Sequence, residues 1–221
     1  MNLNTQPAGL RVYAGHFDRD AQSELLAVRA VLAAAPLFTP RMPKSGRPLS
    51  VRMSNCGPLG WISDEHGYRY EPRHPASGRL WPPIPEQLIA LWRNVTRYAE
   101  PPEACLINFY GPTAKMGLHQ DRDEADFAAP VVSISLGDDC LFRVGGRNRR
   151  DPTTSIRLTS GDVLVLGGDA RLAFHGVDRI YPGTSRLLAD GGRINLTLRR
   201  VTPQRANRTS AQAEARAPHH A

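Results

Sequence analysis

Apolar positions change their period along the chain. Over residues 18–35, Leu25, Leu26, Val28, Val31 and Leu32 recur at helical spacing. Asp18 or Asp20 can cap the start and Pro36 ends the run, so a helix is predicted there. A second helix is predicted over 85–99: Leu88, Leu91, Trp92 and Val95 form its core stripe, Pro85 suits the first turn, and Pro101-Pro102 stops it. Before the first helix, Val12-Tyr13-Ala14 reads as a short strand. Between the helices, residues 36–54 are proline-punctuated loop and 55–81 a glycine- and aromatic-rich hairpin. From Ala104 the period shortens. Strands are predicted at Ala104–Tyr110, Lys115–His119, Val131–Leu136, Cys140–Gly145, Ser155–Leu158, Asp162–Leu166, Leu172–His175 and Arg193–Arg200, with a turn at Gly137-Asp138-Asp139 and a loop over 177–192. The fold class that follows is mainly β with flanking helices, a sandwich or jelly roll whose helices brace one sheet.

Composition narrows the picture. At 221 residues, with 41% hydrophobic and 22% charged residues, the chain suits one globular domain with a sizeable core. It has no apolar run long enough for a transmembrane helix and no basic, then apolar, leader, so no membrane partner is expected. Cys56, Cys105 and Cys140 are odd in number and widely spaced, which fits neither a disulfide framework nor a zinc pattern, and points to a reducing cytoplasm. The net charge of +7 is compatible with a phosphate-backbone partner.

The chemistry starts at His119-Gln120-Asp121. On an extended segment His119 and Asp121 share a face, which supplies two of the three ligands of a two-His-one-carboxylate Fe(II) site. His175 is the only histidine between Asp121 and the C-terminal tail, so it is the expected third ligand. In Arg193–Arg199 polar and apolar residues alternate, putting Arg193, Asn195, Thr197 and Arg199 on one face. Two arginines there suggest a small dianion, such as a dicarboxylate, reached from Cα atoms roughly 20 Å apart. Asn108 and Tyr110 share a face of an earlier strand, as turn-capping and packing residues or as polar ligands. Trp61, Tyr68 and Tyr70 suit either a core or base stacking.

Asn108-Phe109-Tyr110, His119-Gln120-Asp121, His175-Gly176 and Arg193-Ile194-Asn195-Leu196-Thr197-Leu198-Arg199 together resemble the AlkB family, Fe(II)- and 2-oxoglutarate-dependent nucleic-acid demethylases, and its bacterial DNA-repair member in particular. The resemblance runs from about Asn55 to Arg200 and implies a double-stranded β-helix. It also implies that His119, Asp121 and His175 bind iron, and that Asn108, Tyr110, Arg193, Asn195, Thr197 and Arg199 hold 2-oxoglutarate, with O2 as oxidant. By the same likeness Trp61 stacks on a flipped base, Tyr68 and Tyr70 contact nucleic acid from a recognition lid, Asp123 reads a cationic lesion, and Arg149 contacts substrate. Arg147 and Arg150 are additional to the family's pattern, and Glu124 has no assigned role.

The expected division is 1–100 for helices and lid, 101–202 for the jelly-roll core, and 203–221 for a disordered basic tail, in one compact domain overall. The expected activity is oxidative demethylation of N1-methyladenine and N3-methylcytosine in single- or double-stranded DNA, by a monomer. Two alternatives stand beside it: the same chemistry on RNA, tRNA or protein, and a non-catalytic jelly-roll binding module.

Overall fold

Two antiparallel sheets and one separate hairpin make up the strands of the computed structural model, which describes residues 7–25 and 28–204. In chain order the elements are β1 (Leu10–Tyr13), α1 (Arg19–Leu25), α2 (Val28–Ala34), β2 (Arg52–Cys56), β3 (Gly60–Asp64), β4 (Gly67–Glu71), α3 (Glu86–Thr96), β5 (Ala104–Tyr110), β6 (Met116–His119), β7 (Val131–Gly137), β8 (Asp139–Val144), β9 (Thr154–Leu158), β10 (Val163–Leu166), a short 3-10 helix (Gly168–Leu172), β11 (His175–Tyr181) and β12 (Arg193–Arg199). The larger sheet has the order β1-β10-β7-β12-β5-β2, the smaller β6-β11-β8-β9, and β3 pairs only with β4. This is the mainly β, helix-flanked jelly roll that the sequence predicts.

The larger sheet is buried on both faces. Its outer face packs Cys105, Ile107, Val132, Ile134, Leu196 and Leu198 against Leu25, Val28 and Val31 of the N-terminal helices and Leu88, Leu91, Trp92 and Val95 of α3. Each such fully buried large side chain contributes about 1.5–3 kcal/mol, so this layer fixes the sheet firmly. The inner face meets the smaller sheet through Val131, Leu164, Leu166, Phe142, Val144 and Val177. Strand β12 lies at the centre, between β7 and β5, with every residue buried. Its apolar face therefore meets the helices, while its polar face is trapped between the sheets.

Two expectations need correction, and a third is described only in part. The helix predicted over 18–35 is described as α1 and α2, on either side of residues 26 and 27, which lie outside the described residues; at its start Asp18 Oδ1 accepts from Ala21 N at 2.9 Å. The strand predicted at Leu172–His175 begins at His175 and runs on to Tyr181, through residues read as loop. Its pairing with β8 shifts register between Val177 and Arg179, so the buried Val177 and Ile180 fall three apart and break the alternation that would have revealed it. The larger sheet also takes β1 and β2 from the first hundred residues, so a boundary at 100 does not divide the core. Of the predicted tail, residues 205–221 lie outside the described residues. Among the described residues no helix is long and apolar enough to cross a membrane.

Candidate active site

The register of β6 on β11 places His119 directly opposite His175, with their ring centroids 4.5 Å apart. Gly176 allows this approach, since a Cβ there would stand 2.4 Å from the Met116 carbonyl oxygen. Each imidazole is tied by Nδ1 to a backbone carbonyl two residues back, His119 to Gly117 at 3.0 Å and His175 to Ala173 at 2.9 Å. Nδ1–H donation to those carbonyls leaves both Nε2 lone pairs free for a cation. The Nε2 atoms point at Asp121, 3.6 Å from Oδ1 and 3.7 Å from Oδ2 respectively. One ligand atom from each residue lies within 4.8 Å of the others, and this is the one such metal-sized cluster among the described residues. Two imidazole nitrogens and a carboxylate on one side of a point are the donor set of a non-haem Fe(II) centre.

Charge within the cluster supports the same use. Burial would raise the Asp121 carboxyl, but Arg199 and the two imidazoles outweigh it and hold it well below the ordinary carboxylate range. Burial and the neighbouring His119 push His175 down to about 4, so it is neutral at pH 7. Burial also depresses His119, yet the hydrogen bond and charge of Asp121 prevail and its net shift is upward.

Beside the triad lies a cavity of roughly 580 Å³ between the sheets, bounded by all three of these residues and by the polar face of β12. Register sets that face: Asn195 opposes Asn108 on β5 and Ser135 on β7, and Arg193 opposes Tyr110. Asn108 Nδ2 donates to Asn195 Oδ1 at 3.3 Å, Thr197 Oγ1 to the same oxygen at 2.9 Å, and Asn195 Nδ2 to Ser133 Oγ at 2.7 Å. Arg193, 1% exposed, uses one nitrogen on Ser135 Oγ at 3.0 Å and lies over the Tyr110 ring. Burial pushes the Tyr110 phenol up to about 12, so it stays a neutral donor.

Arg193 Nε and Nη1, Arg199 Nε and Asn108 Oδ1 are buried with no partner. A buried polar group left unsatisfied costs about 1–3 kcal/mol. Three of the four are guanidinium donors, so an anion with carboxylate oxygens is the group this cradle fits. The dicarboxylate 2-oxoglutarate meets that requirement, and the triad meets that of Fe(II).

The rim of the cavity comes from the β3–β4 hairpin and two loops. Trp61 stacks on Tyr68, centroids 5.6 Å apart and planes 17° apart, and Tyr68 is 46% exposed. Trp61 Nε1 donates to Asp123 Oδ2 at 2.8 Å. Arg149, alone of the three arginines in its loop, borders the cavity; its Nη1 donates to Leu118 O at 2.9 Å and its guanidinium lies over Phe174. Tyr70 behaves differently from its expected surface contact: its hydroxyl turns inward, donating to Glu124 and accepting from Arg199 Nη1 at 3.1 Å.

Three residues without a sequence-based role proved central. Glu124, 3% exposed, accepts from Arg199 Nη1 at 2.9 Å and from Arg171 Nη2 at 3.1 Å. Arg171, also buried, donates to the carbonyls of Asp121 at 2.6 Å and Ala129 at 2.8 Å. Gln120, between the two metal-site residues, donates to Leu172 O at 2.6 Å and Arg147 O at 3.2 Å, tying the motif to the arginine loop. The signal for Arg171 was its place among apolar residues four before His175.

Comparison with known proteins agrees with this geometry. Residues 9–199 match the family model described as the 2OG-Fe(II) oxygenase superfamily. The chain is 56% identical over 195 residues to an alpha-ketoglutarate-dependent dioxygenase AlkB homolog of Caulobacter vibrioides, covering 87% of this chain and 88% of that protein. It is 42% identical over 174 residues to the alpha-ketoglutarate-dependent dioxygenase AlkB of Escherichia coli, covering 77% and 80%. The solved structure of OsALKBH1 superposes with a TM-score of 0.71 at 32% identity, covering 89% of this chain and 99% of that one.

Proposed function

Because the chain belongs to the 2OG-Fe(II) oxygenase superfamily, and is thereby an Fe(II)- and 2-oxoglutarate-dependent dioxygenase, we propose that it oxidatively demethylates alkylated bases in DNA, N1-methyladenine and N3-methylcytosine in particular. The observation that carries this reading is the shared cavity. It is bounded by the iron ligands, the dicarboxylate cradle, the Trp61–Tyr68 aromatic pair and the Asp123 carboxylate together.

His119, Asp121 and His175 would hold iron, and Arg193, Arg199, Asn195, Thr197, Asn108 and Tyr110 the dicarboxylate. When bound, iron, 2-oxoglutarate and O2 supply the oxidation of the N-methyl group, which then leaves as formaldehyde from the restored base. The protein's task is to bring the methyl carbon to that point and exclude water. A base lifted from the helix would lie against the Trp61 indole, above the triad. N1-methyladenine and N3-methylcytosine carry a positive charge that normal bases lack, and Asp123 sets a carboxylate beside the indole to select it. Arg149, with Arg147 and Arg150 beside it, would take backbone phosphates. The reading is of a monomer, active in the reducing cytoplasm that its free, buried cysteines suit.

The test is anaerobic reconstitution with Fe(II) and 2-oxoglutarate, then oxygen, on matched DNA and RNA oligonucleotides carrying one N1-methyladenine. Loss of the methyl mass from DNA, dependent on all three additions, is expected. Succinate formed without demethylation of DNA would move the substrate to RNA or protein. No succinate at all would leave a binding module.

A further inference from the structure

Trp61 and Tyr70 face each other across the β3–β4 hairpin, as direct partners in its register. Side chains directly opposite on an antiparallel pair share a face and interact. Trp61 reaches Asp123 at the rim. Tyr70 reaches into the buried cluster, where its hydroxyl donates to Glu124 and accepts from Arg199 Nη1 at 3.1 Å. Arg199 in turn holds Asp121 Oδ1 with Nη2 at 2.7 Å, and keeps a buried Nε with no partner. The other members of the cluster, Asp121, Glu124, Arg171 and Arg199, all lie beyond residue 120, and Arg171 pins Glu124 from behind. The hairpin belongs to neither large sheet; β3 is tied to the body by Asn55, which brackets the Trp61 backbone at 3.0 and 3.1 Å, and by Arg41 N donating to Ser63 O at 3.1 Å, while β4 reaches the buried cluster through Tyr70.

We propose that Tyr70 is a positioning residue that joins the seating of the hairpin to the orientation of the Arg199 guanidinium, so that a methylated base at Trp61 and a dicarboxylate at Arg199 bind cooperatively. The inference rests on the hairpin being the nucleic-acid side of the site. With the hairpin seated, Nη1 of Arg199 has two acceptors, Tyr70 and Glu124, and Nη2 has Asp121. The guanidinium is then fixed on three sides, with Nε left for a carboxylate oxygen. With the hairpin lifted, Tyr70 leaves, and both Glu124 and Arg199 lose a buried partner. A base stacked on Trp61 gains contact only in the seated state, and a dicarboxylate meets a preset Arg199 only there. Two ligands that favour the same state must raise each other's affinity by the same factor.

The test uses the protein loaded with Mn(II), which does not turn over. The dissociation constant of 2-oxoglutarate is measured calorimetrically with and without a single-stranded oligonucleotide carrying one N1-methyladenine. Wild type should bind 2-oxoglutarate about 5-fold tighter or more with the oligonucleotide present, the lower end of typical coupling between sites. Tyr70→Phe, which loses only the hydroxyl, should abolish that gain while still binding both ligands singly. Hydrogen exchange on the wild type gives a second reading that needs no variant: 2-oxoglutarate alone should slow exchange in the hairpin amides of residues 60–71. Absence of coupling in wild type, a full gain retained by Tyr70→Phe, or hairpin exchange indifferent to 2-oxoglutarate would each overturn the proposal. An oligonucleotide that does not bind at all would instead remove the nucleic-acid reading, and the exchange experiment would still decide the Tyr70 link.

Discussion

The Arg199 guanidinium bonds the Asp121 carboxylate, Nη2 to Oδ1 at 2.7 Å, so the two arginines of one strand face do different work. Arg193 lies at the deep end with two free nitrogens. Arg199 is shared between the metal site and the anion cradle, and by occupying Oδ1 it leaves Oδ2 of Asp121 the freer oxygen for a cation.

Replacing the fork should therefore affect the metal. Arg199→Lys keeps the charge but cannot bond Asp121, Glu124 and a ligand at once. Loss of a group that orients a metal ligand costs about 10–100-fold in metal affinity or activity. Titration of the variant with Mn(II), followed by its relaxation enhancement of water protons, should show a weakening of that order; unchanged affinity would mean Arg199 does not orient Asp121.

Arg193→Ala should act on the cosubstrate alone. Truncating one partner of a buried charged pair costs about 2–5 kcal/mol, so the KM for 2-oxoglutarate should rise by about two orders of magnitude. Mn(II) affinity should hold, because Arg193 touches none of the triad.

His119→Ala, Asp121→Ala and His175→Ala should each stop formaldehyde release while the fold persists, since His119 and His175 sit at strand ends, Asp121 lies just beyond β6, and none belongs to the helix-backed core. Succinate and formaldehyde assays check this beside circular dichroism. Wild-type turnover by any one of the three would refute the triad.

Trp61→Ala removes a stacking surface worth about 1–3 kcal/mol per base. The KM for methylated oligonucleotide should rise accordingly, roughly 5- to 150-fold, with Mn(II) affinity unchanged. An unaltered KM would place the base elsewhere.

Glu124 gives a pH dependence with a definite sign. Burial would raise its carboxyl, but Arg199 leads the charges and hydrogen bonds that bring it below its ordinary 4.5. A depressed carboxylate stabilises the fold fully above the unfolded value and loses that contribution as pH falls through and below 4.5. Glu124→Gln should cost about 3 kcal/mol at pH 7, because it leaves buried guanidinium charge unbalanced. In urea melts of the metal-free protein, the gap between wild type and variant should close as pH drops below 4.5. Parallel curves over the whole range would show that Glu124 is not held ionised.

Local spacing carried most of the site. His119 ends β6 and Asp121 follows two residues later, close enough in sequence for the pair to be read together, and β12 advertises its buried polar face through strict alternation. What escaped the sequence depends on distant packing. Glu124 stands in Asp121-Arg122-Asp123-Glu124-Ala125-Asp126, where nothing local separates the buried acids from the exposed ones. The inward turn of Tyr70 needs Glu124 and Arg199 already in place. The run of β11 beyond His175 was hidden by a register irregularity.

The order β1-β10-β7-β12-β5-β2 has a consequence for how the chain can be shortened. Both outermost strands come from the N-terminal part, and the four between them from beyond residue 103. The early segment thus acts as a pair of bookends for the later one. A chain begun at residue 101 would keep every residue proposed to hold iron and the cosubstrate yet expose the open backbone of β10 and β5, two apolar strands that would then template pairing with other copies. The catalytic half should therefore be insoluble alone, and soluble again when residues 7–100 are supplied as a separate polypeptide that restores the two missing edges.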